Sequence, residues 1–188
     1  MADINLYKET ALKLEGGYQK LSSDPGNYNS KGELVGTNFG VSAKAYESWI
    51  NRPPTEEDIR SITKELATYI FKVWYWDAVR ASEIHSQAVA ENIVDHAINA
   101  GPKTIGKIVQ EILNKYFNKS LIVDGAIGHK TVVAINEVNS IKLFQRISQY
   151  RLDYYTSLNN YQWIEIWRNR VASLAKKFSI SIEKKKCL

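Results

Sequence analysis

Between residues 4 and 14, Ile4, Tyr7, Ala11 and Leu14 recur at helical spacing, with Asp3 placed as an N-cap and Gly16 and Gly17 as the stop. This pattern predicts a first helix over 4–14. The stretch that follows, rich in Ser22, Ser23, Asp24, Pro25, Gly26, Asn27, Gly32 and Gly36, has the composition of turns and excludes a long helix. Within it, residues 33–35 suit one arm of a small hairpin. Helical periodicity returns after Val41, with a short helix over 43–51, and Thr55 with three acidic residues reads as the cap and first turn before a helix over 59–73. A further helix is predicted over 82–100, ended by Gly101-Pro102. Beyond it the pattern gives an amphipathic helix over 105–116, a turn at Asp124-Gly125, a helix over 130–137, and two longer helices over 141–158 and 161–178 divided by Asn159-Asn160. The fold class expected is mainly α, with a small loop or β-hairpin region after the first helix.

Composition narrows the class of molecule. A chain of 188 residues that is 44% hydrophobic and 24% charged is long enough and apolar enough to bury a core, as one compact unit or two small ones. The formal charge of +5 draws the surface towards anionic polymers, whether nucleic acid, teichoic acid or peptidoglycan. Lys184, Lys185 and Lys186 supply part of that excess as a basic tail, which reads as a solvated terminus. One cysteine, Cys187, excludes an internal disulfide and a thiolate zinc cluster. His85, His96 and His129 are scattered without metal-ligand spacing, so neither metal nor cofactor is expected. Residues 1–12 lack the apolar stretch of a signal peptide, and no run suits a membrane span. For a substrate outside the cytoplasm, a holin or a secretion component would have to let the protein out.

The chemistry centres on Glu15. It follows Ala11 by one helical step, which places it at the edge of the apolar face and near the helix C-terminus. Partial burial and the negative end of the helix dipole both disfavour a charged carboxylate, and a glycosidase acid must hold its proton near neutral pH. Gly16 and Gly17 permit a positive φ at the helix end and leave no side chain to block a sugar ring. Taken alone, a glutamate before two glycines equally describes an exposed last turn with an ordinary C-cap.

Three segments change that balance: Leu14-Glu15-Gly16-Gly17-Tyr18, then Asp24-Pro25-Gly26, then the run from Gly36 through Thr37, Asn38 and Gly40 to Ser42. In order and spacing they resemble the signature of glycoside hydrolase family 108, lysozyme-like N-acetylmuramidases. The stretch from Val94 to Gly101 is similar to the helix that ends the family's catalytic part. The turn from Val123 to Thr131 and the segment from Trp167 to Val171 resemble the peptidoglycan-binding region that usually follows.

The resemblance implies a lysozyme-like fold, with a catalytic region at 1–101 and a helical peptidoglycan-binding-like region at 102–188 packed on it. It also implies a cleft beside the first helix, and peptidoglycan glycan strands as the substrate. It maps the catalytic glutamate onto Glu15. Gln19-Lys20-Leu21 stand where the family commonly has a short acidic stretch, so the partner of Glu15 is open; Asp24 is the nearest carboxylate, and an Asp before Pro-Gly also simply starts a turn. Gly16, Gly17 and Tyr18 are placed to meet substrate, and Thr37 and Asn38 either hold a water, bind an acetamido group or shape the loop. Asn92, Asp95, His96 and Asn99 form a polar stripe, of which Asp95 and Asn99 are candidate cleft residues; such a stripe is otherwise a solvated face or a set of buried hydrogen bonds. Among the aromatics, Trp74, Tyr75, Trp76, Trp163 and Trp167 suit core positions more than glycan contact. Other readings are a peptidoglycan-binding or secretion-associated protein without cutting activity, a lytic transglycosylase, and a nucleic-acid binder suggested only by charge and lacking a recognised motif. The expected site of action is the cell wall or periplasm, after synthesis in the bacterial cytoplasm.

Overall fold

The computed structural model describes residues 1–8, 17–157 and 161–182, and its fold is mainly α and lysozyme-like. The chain divides into two compact units, one of Asn5–Val73 and one of Met1–Ile4 with Trp74–Leu188. Helix α1 is Ile4–Lys8; the rest of the expected first helix, with Glu15 and Gly16, lies outside the described residues.

In the unit of Asn5–Val73, the turn-rich segment folds around a two-stranded antiparallel ribbon, β1 (Thr37–Asn38) and β2 (Val41–Ser42), with Thr37 opposite Ser42. The expected hairpin arm at 33–35 contributes one isolated bridge, Leu34 to Tyr28. Helix α2 (Ala43–Ile50) starts on the Ser42 hydroxyl, which accepts from the Ala45 amide, and ends at Asn51 in the left-handed region. The expected helix over 59–73 is two helices, α3 (Glu56–Arg60) and α4 (Lys64–Phe71). Thr55 and Asp58 close a reciprocal capping box on α3, and Thr63 caps α4. The break has a tertiary cause: the Asn38 side-chain amide donates to the carbonyls of Ile59, Arg60 and Ile62, the groups that a continuing helix would have used.

The other unit is built on α5 (Gln87–Ala100), which begins at the Ser86 cap, later than the expected residue 82. It packs against α6 (Pro102–Phe117), α8 (Ser140–Ser157) and α9 (Tyr161–Lys177), while α7 (His129–Glu137) lies on α6 and α8. Gly101, at φ +89°, turns the chain between α5 and α6, and Pro102 opens α6 where its missing N–H costs nothing. Both helices belong to one unit across that junction.

Every residue of α5 from Ala88 to Ala97 is buried, so that stretch of the helix has no solvated side. Ile93, Ala97, Ile105, Val109, Leu113, Leu143, Phe144 and Ile147 fill the surrounding core. A turn at Asp124–Ala126 is clamped onto α6 by Gln110, whose side chain donates to Asp124 Oδ1 at 2.9 Å and accepts from the Gly125 amide at 2.8 Å. Gly106 makes room for it, since a Cβ there would lie 2.0 Å from the Gly125 oxygen. Among the described residues no helix is long and apolar enough to cross a membrane.

Candidate functional site

Tyr18, the first side chain described after Gly17, is fixed from three directions. Its hydroxyl donates to the Val35 carbonyl at 3.0 Å, the Arg60 guanidinium lies 3.7 Å from the centre of its ring, and Gly36 lets the chain pass close by. A Cβ at Gly36 would stand 2.7 Å from Tyr18 Cε2 and 2.6 Å from the Gln19 oxygen. Beside the ring, Glu56 joins Lys20 at 2.5 Å and Arg60 at 2.8 Å. Hydrogen bonds from Lys20 and then Arg60 bring the Glu56 carboxyl down to about 2, so it is an anion at any working pH. Desolvation and that anion raise the Tyr18 phenol, which stays a proton donor.

The loop after Tyr18 is one hydrogen-bonded cluster. Gln19 bridges to Thr37 through its backbone in both directions at 2.9 Å, and its side chain exchanges hydrogen bonds with Asn27 at 3.1 and 2.9 Å. Asn27, fully buried, also accepts from the Thr37 hydroxyl at 2.6 Å and donates to the Leu21 carbonyl at 2.9 Å. Asp24 caps the short turn Pro25–Asn27, its Oδ1 accepting from the Gly26 amide at 2.8 Å. Asp24 Oδ2 meets the Gln19 amide only at 3.5 Å, the outer limit of a hydrogen bond, and so keeps capacity to accept from a water or a hydroxyl. Asn38 is 4% exposed, and its Oδ1 has no hydrogen-bond partner among the described residues.

Tyr18, Asp24, Thr37 and Asn38 thus lie in one unit, in which Gln19 and Asn27 tie Asp24 to Thr37. Sequence reasoning passed over those two amides. The available signal was Gln19 itself, at the point where the expected acidic stretch is replaced, because a half-buried glutamine in a turn needs polar partners.

Asp95 and Asn99 lie in the other unit, Asp95 in a buried network and Asn99 exposed near the end of α5. Arg151 and Arg170, from α8 and α9, each pair with one carboxylate oxygen of Asp95, Arg170 at 2.5 Å. Burial pushes the Asp95 carboxyl up, but the two guanidiniums outweigh it and hold it below its ordinary value. His96 Nδ1 meets the Tyr155 hydroxyl at 2.9 Å, and Asn99 donates to the same oxygen at 3.3 Å. Burial, then Arg151, lower His96 to about 3, against the pull of Asp95, and the ring is neutral. Asn92 donates to Ser148 at 2.8 Å, and Lys177 reaches buried Glu91 at 2.8 Å. From Glu91 to His96 the polar stripe of α5 is therefore a set of buried hydrogen bonds that ties α5 to α8 and α9, with Asn99 at its exposed end. Trp76 is buried with its indole on Ser82, and Trp167 stacks on Tyr155 at 5.0 Å. Among the described residues no group of three or more His, Cys, Asp and Glu side chains could hold a metal ion.

The sequence pattern of the Glycosyl hydrolase 108 family matches residues 8–101, half of the 188-residue chain. The chain belongs to the Glycosyl hydrolase 108 family. The matched stretch contains Glu15, Tyr18, Asp24, Thr37, Asn38, Asp95 and Asn99. This Glycosyl hydrolase 108 member is similar to a solved structure, that of Brucella abortus SagA, with a TM-score of 0.75, 23% identity, and coverage of 97% of this chain and 99% of that one. That likeness is one of fold. No curated protein matches the chain.

Proposed function

We propose that this protein is an N-acetylmuramidase that hydrolyses the bond between N-acetylmuramic acid and N-acetylglucosamine, with Glu15 as the general acid. The observation that carries the reading is the family match over 8–101, which includes the Glu15-Gly16-Gly17-Tyr18 run. In this reading Glu15 protonates the glycosidic oxygen as the bond breaks, and a water completes the hydrolysis. The partner assigned is Asp24, whose Oδ2 is the less committed oxygen and which is held in a turn braced by Gln19 and Asn27. Gly16, Gly17, Tyr18, Thr37 and Asn38 are assigned to the sugar, with Tyr18 presented as a fixed ring. No cofactor takes part. The site of action is the cell wall or periplasm, reached through a holin or secretion component, and the helical region after Gly101 grips the polymer.

A cell-wall zymogram of wild type beside Glu15→Gln tests the assignment. Clearing by wild type and none by the variant is the expected result; equal clearing by both removes Glu15 from the mechanism. A second reading, a peptidoglycan-binding or secretion-associated protein without cutting activity, draws on the likeness in fold to SagA over 97% of the chain. It predicts sedimentation with cell walls and no clearing by either protein.

A further inference from the structure

We propose that the groove between α6 and α8 binds a glycan strand that carries carboxylates, a site whose choice of polymer rests on the muramidase reading above. On α6, Lys103, Lys107, Glu111 and Lys115 follow one another at four-residue spacing, so they form a single row about 18 Å long. Arg146, Tyr150 and Tyr154 form the matching row on α8. The two rows run in opposite directions. Tyr116, at the end of α6, lies 4.3 Å from the guanidinium of Arg146 near the start of α8, while Tyr150, one turn on, shares a cavity of about 310 Å3 with Lys103, Thr104, Lys107, Ile108 and Glu111. Ile108 is buried and floors the cavity; Tyr116 and Tyr150 keep 46% and 38% of their surface in solvent.

The cations along this groove are uncommitted. Lys20, Arg52, Arg80 and Lys119 each hold a carboxylate, whereas Lys103, Lys107, Lys115 and Arg146 have none within ion-pair distance among the described residues. The acidic groups nearby are Glu111, within the row, and Asp124, which is engaged by Gln110 and by the Ala126 amide. Four cations face two carboxylates, an excess that favours an anionic ligand. Half-exposed Tyr116 and Tyr150, beside these cations, add flat apolar faces against which sugar rings lie. Glu111 selects among anions. A chain with a phosphate at every residue would bring one against that carboxylate, while a glycan with its acids on alternate sugars can place an uncharged sugar there, whose hydroxyls donate to it.

Sedimentation of the full-length protein with isolated peptidoglycan sacculi on ice tests the site. Reversing two charges in Lys107→Glu/Arg146→Glu should weaken binding about tenfold, on the order of two exposed ion pairs, and Lys107→Arg/Arg146→Lys should bind as wild type. Wild type should bind sacculi whose carboxyl groups have been amidated as weakly as the reversed variant binds untreated ones. If the reversed variant does not fold, Lys107→Gln alone should still lose about threefold. Undiminished binding by a folded charge variant overturns the proposal, as does wild-type binding to duplex DNA that is tighter than to sacculi and lost with the same charges. Release of reducing ends by wild type is measured separately. Charge-dependent sedimentation without such release keeps the groove and removes the muramidase reading; release with charge-independent sedimentation removes the groove alone.

Discussion

Acid should weaken this protein through one imidazole before it titrates the paired carboxylates. His96 is fully buried, its Nδ1 on the Tyr155 hydroxyl, with Tyr154 edge-on at 5.4 Å and the Arg151–Asp95–Arg170 cluster beside it. Burial and Arg151 lower it to about 3, against about 6.5 in an unfolded chain. Below pH 6.5 the unfolded chain takes up a proton that the folded one refuses, so stability is complete above that pH and falls as pH drops towards 3. At 1.36 kcal/mol per unit, lowering the pH from 8 to 5 should cost about 2 kcal/mol from this group alone. The perturbation is His96→Phe, which removes the proton site and keeps an aromatic ring in the core. Urea unfolding at pH 8 and pH 5 reads the effect: wild type should lose about 2 kcal/mol more than the variant over that interval. The absolute stability of the variant is immaterial, because only its dependence on pH enters. Equal pH dependence in the two proteins would refute the buried neutral imidazole.

Three further outcomes follow from contacts elsewhere. Asp95→Asn leaves Arg151 buried without its counter-charge and should cost about 3–5 kcal/mol in urea unfolding, whereas an unchanged midpoint would show the pairs to be dispensable. Gly36→Ala should destabilise by more than Gly32→Ala: both carry a positive φ, but only at Gly36 does a Cβ meet atoms, at 2.6 and 2.7 Å, and thermal melting compares the two. Gly106→Ala would gain about 1 kcal/mol from helix propensity alone, yet a Cβ 2.0 Å from the Gly125 oxygen should reverse the sign, so a raised melting temperature would contradict the clamp of the 124–126 turn on α6.

Local signals carried most of the helical layout. Thr55 is a cap whose partner lies within three residues, and the Gly101-Pro102 junction works through backbone conformation alone. Failure came where a distant side chain decides. The continuous pattern over 59–73 is cut by Asn38, more than twenty residues away, and no periodicity within the segment encodes that capture. Helix α5 starts later than the expected residue 82 by a local cause, since residues 81–83 form a separate 3-10 turn and the Ser86 hydroxyl caps the helix.

The polar stripe of α5 shows what a one-helix view omits. Glu91, Asn92, Asp95 and His96 give the helix an amphipathic look, while their partners, Lys177, Ser148, Arg151, Arg170 and Tyr155, sit on two helices much later in the chain. Burial of those charges becomes tolerable only once all three helices are assembled. At the candidate site the motif residues could be named from the sequence, and the scaffold beneath them could not: Gln19 and Asn27 gain meaning only from the hydrogen bonds that join Asp24 and Thr37 into one loop cluster.

Glycan hydrolysis with Glu15 as the acid, the proposed activity, is read by mass spectrometry of the soluble fragments released from purified sacculi. Wild type should release muropeptides that end in a reducing N-acetylmuramic acid, and Glu15→Gln none. Products ending in an anhydro-muramic ring would contradict the hydrolytic step, and identical fragments from the Glu15→Gln protein would contradict the assignment of the acid.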